Sequence, residues 1–408
     1  MGYAAPMIVV ACLAAAGAQA RDLTLAESDA LLVRNNRELQ AARRAIESSD
    51  AQRMIAGARP NATFSINSTG IGQNAKPDTV FRIDQPFERG GKRELRLDAA
   101  AGLQRAARQD YLDVLRQQLA LLQGAYYDLK LAQEKAATLA ENAQLFAGTL
   151  GAAERRLKAG DLAPADVAKV QVDYERAQND ARGAQADLAR AQLTLAYLIA
   201  LEAEALELRA VDPWPPLERA DNARVEQAIE DRPDVSAARA RAEAAERLRD
   251  LARAQRTRDV TLGAQYERFP GNVPVNSVGF GFAVPLFTGY DFAGDIQKAE
   301  VDRYSALDAL ARTRAVARNE LARAASDLNA SAERVERFDA SLLGAANRSA
   351  QASEFAFSRG AISVLEVLDA RRTLRAVRLE ALGARADYAK ALAAWRAAQA
   401  TVQALESK

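Results

Sequence analysis

Residues 157–198 and 357–398 carry the same apolar spacing 200 positions apart, and this duplication constrains the fold more than any motif in the chain. The first copy places Val167, Val170, Tyr174, Ala177, Ala181, Ala184, Leu188, Ala191, Leu195 and Leu198 on one seam. The second places Val367, Ala370, Leu374, Val377, Ala381, Ala384, Tyr388, Ala391, Trp395 and Ala398 there. Steps of 3 and 4 alternate without interruption in both, the heptad spacing of helices that pack along their whole length. Gly160 aligns with Gly360, and Asp187 with Asp387.

A second seam precedes each copy, at an offset of 199: Leu122 answers Leu321, Leu129 answers Leu328, and Pro86 answers Pro285. Further upstream Arg37-Glu38-Leu39 matches Pro233-Asp234-Val235. A repeat of this length fixes the architecture before any motif is considered. The chain therefore divides into tandem units at 21–210 and 221–408, each expected as helix, two strands, long helix and helix. The joint is 211–220, where Pro213, Pro215 and Pro216 forbid a continuous helix.

Composition agrees with long helices. Charged residues make up 27% and aromatic residues 6%, with a formal net charge of +1. No basic excess points to nucleic acid. Residues 1–20 read as a signal peptide: the apolar run 7–16 is too short to span a bilayer, and Ala18-Gln19-Ala20 is a small-x-small cleavage site. No Lys or Arg precedes that run. Cys12 superficially suits lipid attachment, but too few residues precede it and the apolar run continues past it. The mature chain is then free of cysteine, and histidine is absent throughout. Thiol catalysis, Ser-His-Asp catalysis and thiolate or imidazole zinc sites are thereby excluded. Gly279-Phe280-Gly281 lacks the third glycine and the following helix of a dinucleotide fold. The chain is not expected to be an enzyme or to hold a cofactor or metal.

Four short segments change period. Ala62, Phe64 and Ile66 alternate with Thr63, Ser65 and Asn67; Phe81 and Ile83 alternate with Arg82 and Asp84. In the second unit Val260, Leu262, Ala264 and Tyr266 form one alternating set, and Val278, Phe280, Phe282 and Val284 another. A period of two with one apolar face is a strand signature, and each run is about 8–11 residues, enough for a tilted strand to cross hydrocarbon. Hairpins covering a soluble core are the alternative, but heptad helices leave no such core to cover. Strands in lipid must pair every backbone group, so the sheet has to close. Spanning barrels begin at about eight strands, so copies of the chain must pool theirs.

The helix after Gly91 is expected to reach Lys158, roughly 65 residues or about 100 Å. A helix over 24–58 opens on the capping box Thr24-x-x-Glu27, and one over 164–204 opens on Pro164; end to end they match the long one.

Two units of this order, an export signal and membrane-length strands together resemble the TolC family of outer-membrane efflux channels, over essentially all of the mature chain. Local marks are Asn35-Asn36-Arg37-Glu38-Leu39, Arg232-Pro233-Asp234-Val235 and Gln85-Pro86-Phe87-Glu88-Arg89-Gly90-Gly91-Lys92-Arg93. The Gly-Gly-Lys-Arg version looks most like the outer-membrane subunits of cobalt–zinc–cadmium and related heavy-metal efflux systems. The resemblance implies a mainly α fold with a small β part: a long coiled-coil α-barrel continuous with a transmembrane β-barrel shared between three chains. It implies a homotrimer in outer-membrane lipid that extends into the periplasm. The duct would pass heavy-metal cations without chemistry, driven by an inner-membrane RND pump through a periplasmic adaptor (membrane fusion protein).

Two turns join the helix pairs, one around Gly160 and one around Gly360, where glycine ends a helix by taking φ > 0. The resemblance assigns adaptor contact to Gly160, Asp161, Leu162, Gly360, Ala361 and Ile362. Glu366-Val367-Leu368-Asp369 matches a family pattern whose two acids narrow the periplasmic entrance, with Glu in place of Asp at the first. Three copies would ring the mouth with repelling carboxylates that attract cations. The alternative is two solvated acids at a helix start. Asp166 is the corresponding acid of the first turn, expected to hold a closed state by pairing with a basic neighbour. Rival readings are a TolC-like duct for drugs or for type I protein secretion and, from another class, a periplasmic coiled-coil adaptor. The adaptor would need one central hairpin between glycine-rich β halves, and this chain has two hairpins.

Overall fold

A computed structural model describes residues 21–72, 76–221, 225–270, 273, 275–359 and 361–406. The signal peptide with Cys12, and Gly360, lie outside the described residues. In chain order the elements are β1 (Arg21–Leu23), α1 (Leu25–Asn35), α2 (Arg37–Gly57), β2 (Thr63–Thr69), β3 (Asp78–Phe87), α3 (Lys92–Lys158), α4 (Pro164–Ile199) and β4 (Leu208–Ala210). There follow α5 (Val225–Glu230), α6 (Pro233–Ala254), β5 (Val260–Phe269), β6 (Val275–Ala283), α7 (Ala293–Arg337), α8 (Leu343–Ser358), α9 (Val364–Ala398) and α10 (Val402–Glu406). Two compact units form: one from residues up to Asn36 with 118–220 and 326–394, the other from 37–117, 221–325 and 395 onward.

In the first unit the heptad seams are the core. Leu119, Leu122, Tyr126 and Leu129 of α3, Val170, Ala177, Ala184 and Leu195 of α4, Leu328 and Val335 of α7, and Ala381, Ala384 and Tyr388 of α9 are all buried. Between α7 and α8 the helix makes one π turn, Phe338–Leu342. A π turn accommodates one extra residue in an α-helix. It therefore accounts for the change in repeat offset from 199 before this point to 200 after it.

The helix expected over 24–58 is broken at Asn36, which takes an extended backbone (φ −62, ψ 131). The helix expected to reach residue 204 stops at Ile199, with Ala200 left-handed and a short 3₁₀ turn following at Glu202–Glu207. The two corrections share one cause. The last four carbonyls of α4 need partners. Leu201 N–H donates to Ala196 O (2.9 Å) and Ala200 N–H to Tyr197 O (3.4 Å). Asn36 Nδ2 donates to Leu198 O (3.0 Å) and Asn35 Nδ2 to Ile199 O (3.5 Å). Asn36 reaches that carbonyl from a buried position outside the helical path.

Also unanticipated is the parallel pair β1–β4, with Asp22 opposite Arg209. Tyr126 Oη beneath it donates to Leu23 O (3.0 Å) and accepts from Asp212 N–H (3.1 Å). Burial pushes this phenol up to about 12. Tyr388 Oη donates to Pro216 O (2.7 Å) and accepts from Glu218 N–H (2.6 Å), so one tyrosine from each repeat pins the proline-rich joint.

The second unit contains the four strands in the antiparallel order β2-β3-β5-β6. Register places Ile66, Phe81, Tyr266 and Val278 in one cross-strand row and Phe64, Ile83, Ala264 and Phe280 in the next. This face is apolar yet exposed, Phe280 at 86% and Phe282 at 76%. The turn from β3 into α3 needs its glycines. Gly90 has φ +74, and a Cβ there would fall 2.8 Å from Thr257. Lys92 Nζ and Arg89 N–H share Asp259 Oδ1 (both 2.9 Å), while Arg93 donates to Gly57 O (2.7 Å) at the end of α2.

Arg232 in this unit is the counterpart of Asn36. It too is extended (φ −68, ψ 143), fully buried and at a helix break, and its Nη1 donates to Ala398 O (3.3 Å). Nη2 also binds Asp234 (2.7 Å) and Glu320 (2.8 Å). Removing one member of a buried ion pair leaves the other uncompensated, so Arg232→Ala is expected to lower stability by about 3 kcal/mol. The exposed pair Arg105–Glu243 serves as control, since Arg105→Ala should cost about 0.5 kcal/mol or less. Thermal melts followed by circular dichroism in detergent measure both.

The Asp234 carboxyl lies below the usual aspartate range: burial pushes it up, and the hydrogen bonds and charge of Arg232 outweigh that. Its contribution to stability is complete above the unfolded-state value and is lost as pH falls below about 4. Melting temperature should therefore fall less steeply with acidification in Asp234→Asn than in the parent.

Candidate functional site

Both helical turns belong to the first unit, and the local chemistry of each is explicit. At the end of α3, Gly160 takes φ +84. Asp161 N–H donates to Arg156 O (2.9 Å) and Gly160 N–H to Leu157 O (3.0 Å), the paired bonds that close a helix through a left-handed glycine. In the second turn Ala361 N–H donates to Ala356 O (2.9 Å), the same bond 200 positions on.

The turns meet over one apolar cluster. Phe146 and Ala153 of α3, Val167, Val170 and Ala177 of α4, and Leu368 of α9 are buried together, with Leu157 and Leu162 packed against them. A groove of about 460 Å³ adjoins this cluster, lined by Leu145, Ala152, Arg156 and Leu162 from the first hairpin and Phe357, Val367 and Leu368 from the second. Arg156 stacks its guanidinium 5.0 Å from the Phe357 ring centre. Gly160, Asp161 and Ala361 are exposed, and Leu162 and Ile362 are half-buried. Of the six tip residues inferred from sequence, Leu162 lines the groove and packs on the cluster, and Gly360 lies outside the described residues.

The three acids are placed differently. Glu366 and Asp369 are exposed on the first turns of α9, and Asp166 is half-buried on the first turn of α4. Ser363 Oγ accepts from Glu366 N–H (3.4 Å) and donates to Glu366 Oε1 (3.2 Å), so Glu366 closes the start of α9 while remaining exposed. The spacing Ser363-x-x-Glu366 is a helix-start signature that was legible in the sequence and passed over. Asp166 pairs with Lys169 of its own helix (3.1 Å). Among the described residues no hydrogen bond or ion pair joins Asp166 to Glu366 or Asp369.

Sequence reasoning also missed the basic residues one to two turns further along α9. Arg371 binds Glu354 (2.9 Å) and Thr149 (3.1 Å), Arg375 binds Asp180 (2.7 Å), and Arg372 binds the buried Asp173. The bond to Glu354 joins α9 to α8 of its own repeat, and the other three tie α9 to α3 and α4 of the first repeat. Arginines on a heptad helix look like a solvated face, and nothing in their spacing announces the partners. Among the described residues no cluster of His, Cys, Asp or Glu could hold a metal ion, and no helix is long and apolar enough to cross a membrane. The exposed apolar face lies instead on the sheet.

Residues 30–201 and 225–401 match the family described as outer membrane efflux protein. The chain belongs to that family. This efflux protein is 26% identical over 370 residues to the cobalt-zinc-cadmium resistance protein CzcC of Cupriavidus metallidurans, a match covering 88% of this chain and 86% of the relative. Its fold is similar to the Campylobacter jejuni CmeC outer membrane channel, with a TM-score of 0.79, 15% identity, and 92% and 85% of the two chains covered. It is also similar to CusC, a protein crystallised in a study of folding and transmembrane channel formation, with a TM-score of 0.75, 18% identity, and 94% and 93% coverage. The efflux protein is an outer-membrane channel extending into the periplasm, an α-barrel with a small β part. The adaptor reading is thereby set aside.

Removing the Ser363 hydroxyl tests which role Glu366 plays. Loss of a helix N-cap costs about 1 kcal/mol, so Ser363→Ala should speed amide exchange in the first turn of α9 and leave the first turn of α4 unchanged. Hydrogen exchange with mass spectrometry reads both segments.

Proposed function

We propose that the protein is the exit duct of a tripartite pump that expels heavy-metal cations, and is itself a passive conduit rather than an enzyme. The observation that carries the metal reading is the near full-length similarity to CzcC. Residues 1–20 direct export, and tandem repeats at 21–210 and 221–408, joined through 211–220, build the wall. The parallel roles of Asn36 and Arg232, and of Tyr126 and Tyr388, support that division.

The duct is a homotrimer in this reading. Among the described residues β2 and β6 each pair on one side only, and hydrocarbon leaves their outer backbone groups without partners. β2 and β6 run in opposite directions, so β6 of one copy meets β2 of the next as an antiparallel pair. Three copies bring twelve strands, within the range of spanning barrels. At the tips Gly160, Asp161, Leu162, Gly360, Ala361 and Ile362 meet the periplasmic adaptor, which joins the duct to an inner-membrane RND pump. Glu366 and Asp369 narrow the mouth, with Asp166 beside them. Energy and metal choice come from the pump.

Deleting the gene should raise sensitivity to cobalt, zinc or cadmium while leaving drug sensitivity and protein secretion unchanged. The opposite pattern would replace metals by drugs or secreted protein as the cargo. Neutralising the mouth with Glu366→Gln and Asp369→Asn together should alter single-channel conductance and cation preference in planar bilayers. Unaltered currents would remove the constriction assignment.

A further inference from the structure

The face of the sheet opposite the apolar one carries a hydrogen-bonded ladder of long polar side chains. Arg82 Nε donates to Asp84 Oδ2 (2.7 Å), and Arg82 Nη1 reaches across to Gln265 Oε1 (3.3 Å) on β5. Gln265 in turn donates to Glu267 Oε1, whose other oxygen accepts from Ser277 Oγ (3.0 Å) on β6. The ladder thus crosses three strands, including the β3–β5 junction between the repeats. Glycines stand where it needs room. A Cβ at Gly279 would fall 3.1 Å from Gln265 Cγ, and one at Gly263 would fall 3.0 Å from Arg82 Nη2.

Alternation along the strands places Asp78, Arg82, Asp84 and Glu267 on this face, three acids against one base. Arg82 is neutralised by Asp84. Asp78 is exposed at the start of β3. Glu267 is different: two neutral donors fix it, and no cation pairs with it among the described residues. It is an uncompensated carboxylate held in place by neighbours that do not reduce its charge.

We infer that Glu267, braced by Gln265 and Ser277, is a selectivity-determining residue at the membrane exit of the duct, favouring hydrated cations. The inference rests on the trimeric duct reading, in which this face lines the lumen and three copies set three such carboxylates at one level. The low-dielectric wall of a barrel focuses their field on the aqueous path. Rings of acidic side chains favour cations without binding them tightly enough to stop flow. The cargo class is therefore a solvated cation that passes rather than one that is coordinated. This element is independent of Glu366 and Asp369.

The test is the reversal potential of the purified full-length protein in planar bilayers under an asymmetric KCl gradient. Wild type should prefer K⁺ over Cl⁻. Glu267→Gln should reduce that permeability ratio on the order of twofold at low salt, and the difference should fade near 1 M, where screening shortens the range to about 3 Å. Arg82→Gln should shift the ratio in the opposite direction by leaving Asp84 uncompensated. Ser277→Ala, which removes a donor but no charge, should match wild type. A conducting Glu267→Gln with the wild-type reversal potential at low salt overturns the proposal and leaves the duct reading standing. So does a Ser277→Ala shift as large as that of Glu267→Gln. Absence of conductance in the wild-type protein overturns the duct reading and this proposal with it.

Discussion

A strand edge in hydrocarbon cannot stay open, and the rest of this molecule follows from that constraint. Among the described residues, one chain makes a sheet of four strands and leaves a free side on β2 and on β6. In water such edges are tolerable, because solvent pairs the backbone groups; in lipid each unpaired group costs several kcal/mol. The strands themselves are too few to close and too apolar on one face to dissolve. Phe64, Ile66, Phe280 and Phe282 are more than half exposed in the single chain, and a bilayer is the medium that suits them. In the proposed trimeric duct, oligomerisation is therefore a condition of stability for the sheet rather than an addition to it.

The helical part obeys a second constraint, that duplicated seams must stay in phase. Heptad packing tolerates little drift, since one residue turns a side chain about 100° around the helix axis. The second repeat carries one residue more than the first between Leu328 and Ser358. The π turn at Phe338–Leu342 takes up that residue locally. Both neighbouring stretches then keep their seams: Leu328 and Val335 are buried before it, and Ala346 and Ala350 after it.

Much of the architecture was legible because it is periodic. The heptads located α3, α4 and α9, and alternation located all four long strands with their apolar face. What escaped was aperiodic and depended on distant partners. The break at Asn36 is invisible locally, because Arg34 and Asn35 before it and Arg37 and Glu38 after it are compatible with helix. It exists to serve the Leu198 carbonyl, 162 positions away. The pairing of β1 with β4 involves three residues on each side, too short for a period to register. At the tips, Ser363-x-x-Glu366 was a local signal that went unused, while the bonds of Arg372 and Arg375 to Asp173 and Asp180 have no local signal at all.

The family marks also acquire a physical meaning that differs from a functional one. Asn35-Asn36 and Arg232-Pro233-Asp234 cap carbonyls at the ends of α4 and α9, and Gly90-Gly91-Lys92-Arg93 fastens the strand-to-helix turn to Asp259 and Gly57. These residues identify the chain by how it is built, not by what it carries. In the proposed duct, cargo preference is expected from carboxylates that face the aqueous path without a paired cation. Asp369 is exposed at the tips, and Glu267 in the sheet is half-buried and held by neutral donors, whereas Glu366 is shared between the proposed mouth and its helix cap. In the proposed duct, discrimination by charge and width would act on a solvated ion without slowing its release.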